Sequence, residues 1–306
     1  MLSPEMPNIT ATVVITTKNR KDELRPAIQS ALDQTAKPQV LVIDDGSTDG
    51  TSEMVRAEFP TVTLHRSGAS LGLIVQRNRG AELASGEIIF SIDDDAVFSS
   101  PRVLEQTLAE FSHPRIGAVA IPFINVKKDD IVRQRAPGEI GTFVTGAYIG
   151  TAHALRRDVF LRLSGYRPHL IHQGEEGDLC IRLLSAGYVV GLGRADPIHH
   201  FESPKRSSRR MTLFGRRNDI LFGWHNVPLI DLPARWIRAT AGGIRHGVRR
   251  HQVWWTIEGL ACGYGGVLKF ATKRAPVSRS IYCLYRRLSG ASLPLVDIEP
   301  QLPPLH

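Results

Sequence analysis

The sequence predicts an α/β fold in which helices cover both faces of a doubly wound, mainly parallel sheet. In the first 120 residues, short apolar and β-branched runs alternate with amphipathic segments of helical period. Strands separated by helices of this length imply right-handed crossovers between parallel strands. The chain has 306 residues, 42% of them hydrophobic and 22% charged, so it can bury a full core and has the composition of a globular protein.

Five strand candidates lie in the first half of the chain. They are residues 12–17, 40–44, 62–64, 88–92 and 118–121. Between the first two, residues 22–34 have the apolar spacing of an amphipathic helix. Ser47 or Thr48 is expected to cap a second helix, and Ser100, followed by a proline, a third. Ligands bind beyond the carboxyl ends of the strands in such sheets.

The second half has a different pattern. Residues 141–154 are rich in Gly, Thr and Ala and favour β-structure, and residues 157–163 and 176–186 are helix candidates. Gly187 is expected to end the second of these helices, and residues 188–192 form a strand candidate. Beyond residue 228 the pattern becomes helical, aromatic and basic.

The net charge of +8 is unevenly distributed. Residues 201–290 contain 17 Lys/Arg and four Asp/Glu, whereas the rest of the chain is acidic. A basic surface attracts phosphates on nucleic acid, on anionic lipid or on a diphosphate-linked substrate.

The expected location is the cytoplasm. No segment has the pattern of a signal peptide, and no window holds the roughly 18 apolar residues of a membrane span. The three cysteines are widely separated and lack metal-ligand spacing, so we expect reduced thiols.

Three adjacent carboxylates end the most apolar strand candidate. Asp93, Asp94 and Asp95 repel one another unless a cation neutralises them. Strand alternation sends Asp93 and Asp95 to one side and Asp94 to the other. A Mg²⁺ or Mn²⁺ ion held by one or two carboxylates and by substrate phosphates fits this arrangement. The alternative is a solvated acidic turn.

Two further acidic segments are candidate sites. Asp44 and Asp45 begin a glycine-containing turn in which a carboxylate could accept hydrogen bonds from a nucleobase or a ribose, or could simply stabilise the turn. Glu175, Glu176 and Asp178 lie at the start of a helix candidate. They could supply a catalytic base, or they could only favour the positive end of the helix dipole.

Taken in order, these motifs resemble glycosyltransferase family 2, whose catalytic domain has the GT-A fold. The matching segments are Val13 to Arg20, Val42 to Asp49, Gly68 to Gly72 with Arg77 to Gly80, Ile92 to Asp95, and Gly174 to Arg182. Together they cover about residues 13–200. The resemblance implies a nucleotide-sugar-binding and catalytic domain, which we place over residues 1–225. The helical, basic and aromatic pattern that follows predicts an extension over residues 226–306.

The resemblance also assigns nucleotide-binding roles. Thr16 or Thr17 and Asp45 would hold the nucleobase, while Asp44 would support the turn and Arg77 would lie near the nucleotide. The full set implied is Thr16, Thr17, Asn19, Arg20, Asp44, Asp45, Arg77, Asp93 and Asp94.

In the same way, Asp93 and Asp95 correspond to the ends of the family's D-x-D motif, which contacts the ribose and a metal with its bound diphosphate. His199 or His200 would be a further metal ligand, and both alternatives stay open. Glu176 falls where the family usually has an aspartate base, and Glu175 and Asp178 are the other candidates for this role.

The implied function is an inverting, metal-dependent transfer of a sugar from a nucleotide-diphosphate donor to the hydroxyl of a glycan or lipid-linked acceptor. The Gln-x-x-Arg-Trp motif of processive members is absent, which favours a single addition in cell-surface glycan synthesis. No nucleic-acid partner is expected. The alternatives are a nucleotidyltransferase, which would need a Gly-rich phosphate loop after the first strand, and a non-catalytic sugar-nucleotide or nucleic-acid binding protein.

The basic segments have two interpretations. The cations of residues 205–217 could close over the diphosphate or face a membrane; they are Lys205, Arg206, Arg209, Arg210, Arg216 and Arg217. The basic and aromatic tail could lie on the anionic inner face of the plasma membrane as a peripheral element, or it could pack its aromatic residues on the catalytic core.

Overall fold

A computed structural model describes residues 9–203 and 207–305. The strands are β1 (Ala11–Thr17), β2 (Gln39–Asp44), β3 (Thr63–Arg66), β4 (Ile88–Asp93), β5 (Ala96–Phe98), β6 (Ile116–Ala120), β7 (Phe123–Asn125), β8 (Val132–Arg133), β9 (Phe143–Thr145), β10 (Ala152–Arg156), β11 (Val189–Leu192), β12 (Ile198–His200) and β13 (Leu293–Pro294). The α-helices are α1 (Lys21–Leu32), α2 (Thr51–Glu58), α3 (Leu73–Leu83), α4 (Val103–Ala109), α5 (Arg157–Arg162), α6 (Glu175–Ser185), α7 (Ser208–Asn226), α8 (Leu232–Arg249), α9 (Val253–Lys269), α10 (Arg279–Gly290) and α11 (Leu295–Ile298).

In the described part of the chain, nine strands form a central sheet in the order β13-β9-β11-β6-β10-β4-β1-β2-β3. Only β9 and β10 run against the other strands of this sheet. The prediction of a mainly parallel α/β sheet flanked by helices is therefore confirmed. A smaller sheet has the order β5-β12-β7-β8.

The central strands β1, β2, β4 and β6 are buried on both faces, which explains why they are nearly continuous apolar runs rather than alternating ones. Val13 and Ile15 of β1 belong to one core cluster, together with Leu24 of α1. Val14, between them in sequence, belongs to the cluster on the opposite face with Ile74 of α3. Successive side chains of a strand point to opposite faces, so one segment serves both cores.

Strand register brings the predicted polar residues to one edge. Thr17 at the end of β1 pairs with Asp44 at the end of β2, and Thr16 pairs with Asp93 at the end of β4. In the small sheet, His200 of β12 lies opposite Ala96, which directly follows Asp95 in sequence.

The helical C-terminal region is confirmed, and part of it joins the core. Helix α7 packs against α8 and α9, while Ile281, Leu284 and Leu288 of α10 belong to a core cluster of the main sheet. Their spacing places them on one helix face. Strand β13 then adds to the sheet beside β9. The domain boundary at residue 225 stays a prediction.

Two helix starts were predicted wrongly. Helix α2 begins at Thr51 after Gly50, and neither Ser47 nor Thr48 caps it. Those two residues instead join the turn to the loop after β1: the Asn19 amide donates to Ser47 Oγ, and the Thr48 amide donates to Asn19 Oδ1.

Helix α4 begins at Val103 rather than at Pro101, and no side chain caps it. The Ser100 hydroxyl donates to Asp196 Oδ2 at 2.7 Å, so it ties the loop to a distant segment.

Cys180, Cys262 and Cys283 are all free thiols. Among the described residues, we find no helix with the length and apolar character that a bilayer crossing demands.

Candidate active site

A cleft of about 700 Å³ lies at the carboxyl ends of β1, β2 and β4. Of the residues predicted to bind the nucleotide, to ligate the metal or to act as base, those lining it are Thr16, Thr17, Arg20, Asp45, Arg77, Asp93, Asp94, Glu175, Glu176 and His200. Five others do not line it, namely Asn19, Asp44, Asp95, Asp178 and His199. Asp95 is nevertheless buried directly against the lining residues Arg20 and His200.

One cluster of the cleft could hold a metal ion. Asp93, Asp95 and His200 each offer one ligand atom, and these atoms lie within 4.8 Å of one another. The Asp95 Oδ1 to His200 Nε2 distance is 3.2 Å, and the Asp93 Oδ2 to His200 Nε2 distance is 3.9 Å. Two carboxylates and an imidazole are a donor set that suits a divalent cation.

His199 and His200 were both candidate metal ligands, and they occupy different positions relative to the acidic cluster. His199 and His200 are neighbours on β12, so their side chains point to opposite faces. His200 is 3% exposed and joins the carboxylates, whereas His199 pairs with Val97 and lies outside the cleft.

Arg20 offsets part of the negative charge of the acidic run. Its guanidinium lies 2.7 Å from Asp94 Oδ1 and 3.2 Å from Asp95 Oδ2, and Thr17 Oγ1 donates to Asp94 at 2.8 Å. Burial still raises the pKa of Asp94 to about 6. Burial would also raise the pKa of Asp95, but His200, the Ser203 amide and Arg20 outweigh it and lower that pKa below its usual range.

Arg77 connects the carboxylate cluster to the start of α6. Its Nη2 lies 3.0 Å from Asp93 Oδ1 and donates to the Gly150 carbonyl at 2.9 Å. Its Nη1 lies 3.4 Å from Glu175 Oε1 and 3.7 Å from Glu176 Oε1. One buried guanidinium therefore holds the candidate metal ligand and the candidate base in a single cleft.

The two glutamates differ in exposure. The Glu175 side chain is 2% exposed, whereas that of Glu176 is 19% exposed and faces the cleft. A Cβ at position 150 would crowd the Glu176 carboxylate and the Arg77 guanidinium, so a larger residue there would displace both groups. Burial, followed by the charge of Glu175, raises the pKa of Glu176 to about 8, although Arg77 opposes the shift.

The raised pKa of Glu176 predicts how kcat/KM depends on pH. A base must be ionised to accept a proton, so kcat/KM is expected to fall about tenfold per pH unit as the pH drops below about 8. An ordinary glutamate would give this decline only near pH 4 to 5 (pKa about 4.3). Initial rates at low donor concentration measure the profile. A flat profile between pH 6 and pH 9 would contradict the assignment.

Asp178 does not line the cleft, and its carboxylate contacts other side chains of the protein instead. It is 1% exposed, it lies 3.0 Å from Arg167 Nε and from Arg182 Nη2, and Asn226 donates to its other oxygen at 2.8 Å. Burial opposes its ionisation, but the two arginines outweigh that effect and lower its pKa. Asp178 therefore links α6 to α7 and to the segment before α6.

We expect Asp178→Asn to destabilise the protein by about 3 kcal/mol, because it leaves two partly buried arginines without their counter-charge. Chemical denaturation measures this change. At a temperature where the variant is folded, kcat should stay within about threefold of the parent protein. A normal stability with a large loss of kcat would instead make Asp178 the base.

Asp45 already has four protein donors. It accepts from Ser70 Oγ at 2.6 Å, Gln76 Nε2 at 2.6 Å, the Leu71 amide at 2.7 Å and the Gly72 amide. Burial opposes these bonds, yet together they lower the pKa of Asp45. Direct contact with a nucleobase would need one of them to be exchanged.

Asp44, by contrast, stabilises its own turn. It accepts from the Ser47 amide at 2.8 Å and from the Ser52 hydroxyl, and it is fully buried.

Several other residues line the cleft without any motif in the sequence that predicts them, among them Asn125, Tyr148, His172 and Gln173. They lie in loops and short strands without a charge motif. Of the basic run, Arg210 lines the cleft, Arg209 pairs with Glu258, and Arg217 is buried and donates to the His169 carbonyl. Lys205 and Arg206 lie outside the described residues.

The sequence and the fold of this chain are both similar to those of known glycosyltransferases. The sequence profile described as Glycosyl transferase family 2 matches residues 12–165, half of the 306-residue chain. The chain belongs to glycosyltransferase family 2. The matched region contains β1, β2 and β4 with the polar residues at their ends, and the predicted family resemblance is thereby confirmed.

Individual relatives of this family are distant. A glucosyl-dolichyl phosphate glucuronosyltransferase from Haloferax volcanii is 26% identical over 187 residues, covering 54% of this chain and 59% of that protein. A mannosyltransferase from Pyrobaculum calidifontis, solved with GDP-Man and Mn²⁺, gives a TM-score of 0.58 at 17% identity and covers 92% of this chain and 83% of that one. S. aureus TarS, solved with UDP-GlcNAc, gives 0.57 at 14% identity, covering 84% and 92%.

At these identities the structural matches establish the GT-A fold. The chain spans less than two thirds of the length of the Haloferax relative.

Proposed function

We propose that this protein is an inverting, metal-dependent glycosyltransferase that moves one sugar from a nucleotide-diphosphate donor to an acceptor hydroxyl in cell-surface glycan synthesis. One observation carries the proposal: Arg77 joins Asp93 of the cation cluster to Glu175 and Glu176 in a single cleft. A sugar between those two groups would have a place for its leaving diphosphate on one side and a base on the other.

The nucleotide part of the donor would bind at the ends of β1 and β2. Thr16 and Thr17 are buried there and line the cleft beside Asp45 and Ser70. Arg20 and Arg77 would limit the repulsion between the donor phosphates and the three carboxylates of the acidic run. Asp44 and Asn19 would act indirectly, since they hold the turn that positions Asp45.

Asp93, Asp95 and His200 would hold the cation. A nitrogen ligand fits Mn²⁺ better than Mg²⁺, which prefers an all-oxygen octahedron. When bound, the cation would neutralise charge on the departing diphosphate. The protein would keep Asp95 in the ionised form that binds a cation, because His200, the Ser203 amide and Arg20 lower the pKa of this carboxyl group.

Glu176 would act as the catalytic base. It would take the proton of the acceptor hydroxyl while that oxygen forms a bond to the anomeric carbon. The bond between this carbon and the diphosphate breaks, and its electron pair leaves with the nucleoside diphosphate. Attack from the face opposite the leaving group inverts the anomeric configuration. Glu175, which is more buried and closer to Arg77, would position that arginine.

We also propose peripheral association with an anionic membrane surface. Ile237, Ile244 and Val248 form one exposed apolar face of α8, and Trp254 at the start of α9 is 81% exposed. Exposed arginines lie nearby, at Arg245, Arg249 and Arg250. Aromatic and aliphatic residues next to arginines are typical of a helix that lies in the headgroup region. Other tail aromatics, such as Trp236 and Tyr282, pack inward against the rest of the protein.

Flotation with vesicles tests this association. We expect salt-sensitive binding to vesicles that contain anionic lipid and weak binding to neutral vesicles. Ile237→Ala with Trp254→Ala should lower the binding about a hundredfold, because the change removes roughly 3 kcal/mol of apolar transfer free energy. Ile140→Ala is the control, since Ile140 is exposed and lies outside α8 and α9. Equal binding by all three proteins, or by none, would remove the membrane proposal.

A donor screen tests the function itself. Nucleotide-diphosphate sugars are incubated with the protein, acceptor extract and Mn²⁺, and the product is examined by proton NMR. We expect metal-dependent release of the nucleoside diphosphate and a product whose anomeric configuration is opposite to that of the donor. Retention of configuration would contradict direct displacement, and metal-independent turnover would contradict the role of the cation cluster.

A further inference from the structure

A second pocket, of about 630 Å³, lies beside the candidate active site. The first turn of α6 separates the two. Glu175 and Glu176 line the catalytic cleft, whereas Gly174 and Gly177 line the second pocket. Gln173 lines both, so the two spaces adjoin at this residue.

The second pocket carries excess positive charge. Four arginines from three helices line it, namely Arg216, Arg235, Arg238 and Arg286. Asp219, the only acidic residue among the lining residues, lies 3.2 Å from Arg216 and 3.6 Å from Arg235. Arg238 and Arg286 are exposed and form no ion pair with any described residue. Two guanidinium groups are therefore available to a ligand.

Two buried donors of this pocket also have no partner within the described chain. The hydroxyl of Tyr282, a residue only 1% exposed, makes no hydrogen bond, and neither does Arg216 Nε. Buried polar groups are normally satisfied, so such groups at a pocket indicate a missing ligand or water. Both are suited to donate to an acceptor-rich anion. Arginine forks match the paired oxygens of a phosphate.

We propose that this pocket binds a phosphate or pyrophosphate group of the acceptor, so that the acceptor hydroxyl reaches Glu176 past Gln173. The inference rests on the proposed function and names the chemistry of its acceptor. The donor diphosphate is assigned to the cation cluster in the other cleft, so the arginine pocket is free for a second phosphorylated molecule. The aromatic rings of Phe222, Tyr282 and Tyr285 provide walls for the group attached to that phosphate.

Calorimetric titration without donor and without divalent cation tests the site. The probes are inorganic pyrophosphate and citronellyl phosphate, a short soluble prenyl phosphate. We expect binding that weakens at least about tenfold in Arg238→Gln with Arg286→Gln, because each change removes a charge-assisted hydrogen bond. The control, Arg56→Gln with Arg79→Gln, loses the same charge on exposed parts of α2 and α3 and should stay within about twofold.

Tyr282→Phe provides a second measurement. Because the hydroxyl has no partner without ligand, its removal is expected to leave the melting temperature unchanged or higher, and yet to weaken probe binding. A structural role for this hydroxyl would instead lower the melting temperature.

The two probes distinguish the sources of the phosphate. Tighter binding of citronellyl phosphate indicates a lipid-linked acceptor, and equal binding indicates a water-soluble phosphorylated one; both support the site. The proposal is overturned if neither probe binds, or if the Arg56→Gln with Arg79→Gln control weakens binding as much as Arg238→Gln with Arg286→Gln does. The titration needs no sugar transfer, so failure of the proposed function would leave this result standing, and failure of the site would leave the donor screen unaffected.

Discussion

Replacing Glu176 by glutamine is expected to lower kcat by about 10³-fold while donor binding is retained, since positioned acid–base groups contribute roughly 10²- to 10⁴-fold. The amide has the same shape as the carboxylate but cannot take the proton of the acceptor hydroxyl. The change should not destabilise the fold, because it removes a repulsion between Glu175 and Glu176. Steady-state rates and calorimetric binding of the donor measure the two halves of this prediction.

The matched control is Glu139→Gln, at a glutamate that is exposed and outside the cleft. It should have parental activity. A Glu176→Gln protein that keeps more than a tenth of parental kcat would remove Glu176 from the role of base. Glu175→Gln would then be the next variant to measure.

Asp95→Asn is expected to have the second large effect. A bound cation supplies several kcal/mol of stabilisation to a leaving diphosphate. We therefore expect a loss of about 10³-fold in kcat/KM, together with a weaker dependence of rate on Mn²⁺ concentration. The asparagine can still accept from the Ser203 amide, which donates to Asp95 Oδ2 at 2.9 Å, so the local fold should persist.

The control for this variant is Asp130→Asn, at an exposed aspartate away from the cleft. A thermal melt of each protein separates misfolding from loss of the ligand. Full activity of Asp95→Asn with an unchanged Mn²⁺ response would show that the cation, if it is needed, binds elsewhere.

The central strands could be predicted because their signals are local. β1, β2 and β4 are buried on both faces, so each is a short apolar run with polar residues directly after it. Parallel pairing then necessarily brings those polar residues to one edge. The orientation of the acidic run also follows from a local rule, the alternation of side chains along a strand. Asp93 and Asp95 share the cation cluster, while Asp94 contacts Thr17 and Arg20.

Features that depend on distant segments could not be predicted. The choice between His199 and His200 depends on how the three-residue strand β12 pairs with β5, about a hundred residues earlier. The sequence leaves Asp45 available for a nucleobase, but donors from the loop before α3 and from α3 itself occupy it. The helix-start residues were equally ambiguous, because only the point where α6 begins decides that Glu176 faces the cleft and Asp178 does not.

The arginine pocket had no sequence signal as a site. Its lining residues come from α6, α7, α8 and α10 and from the segment before α6, and only the packing of these helices brings them together. The basic composition of residues 201–290 predicted an affinity for phosphate, but not the place where a phosphate would bind.

The most direct test of the whole account is a crystal structure with Mn²⁺ and the nucleotide-diphosphate sugar found in the donor screen. The anomalous signal of manganese should lie between Asp93, Asp95 and His200, next to the diphosphate. The Glu176 carboxylate should face the anomeric carbon from the opposite side. A donor bound with its anomeric carbon away from Glu176, or manganese at any other position, would contradict the proposed division between cation and base.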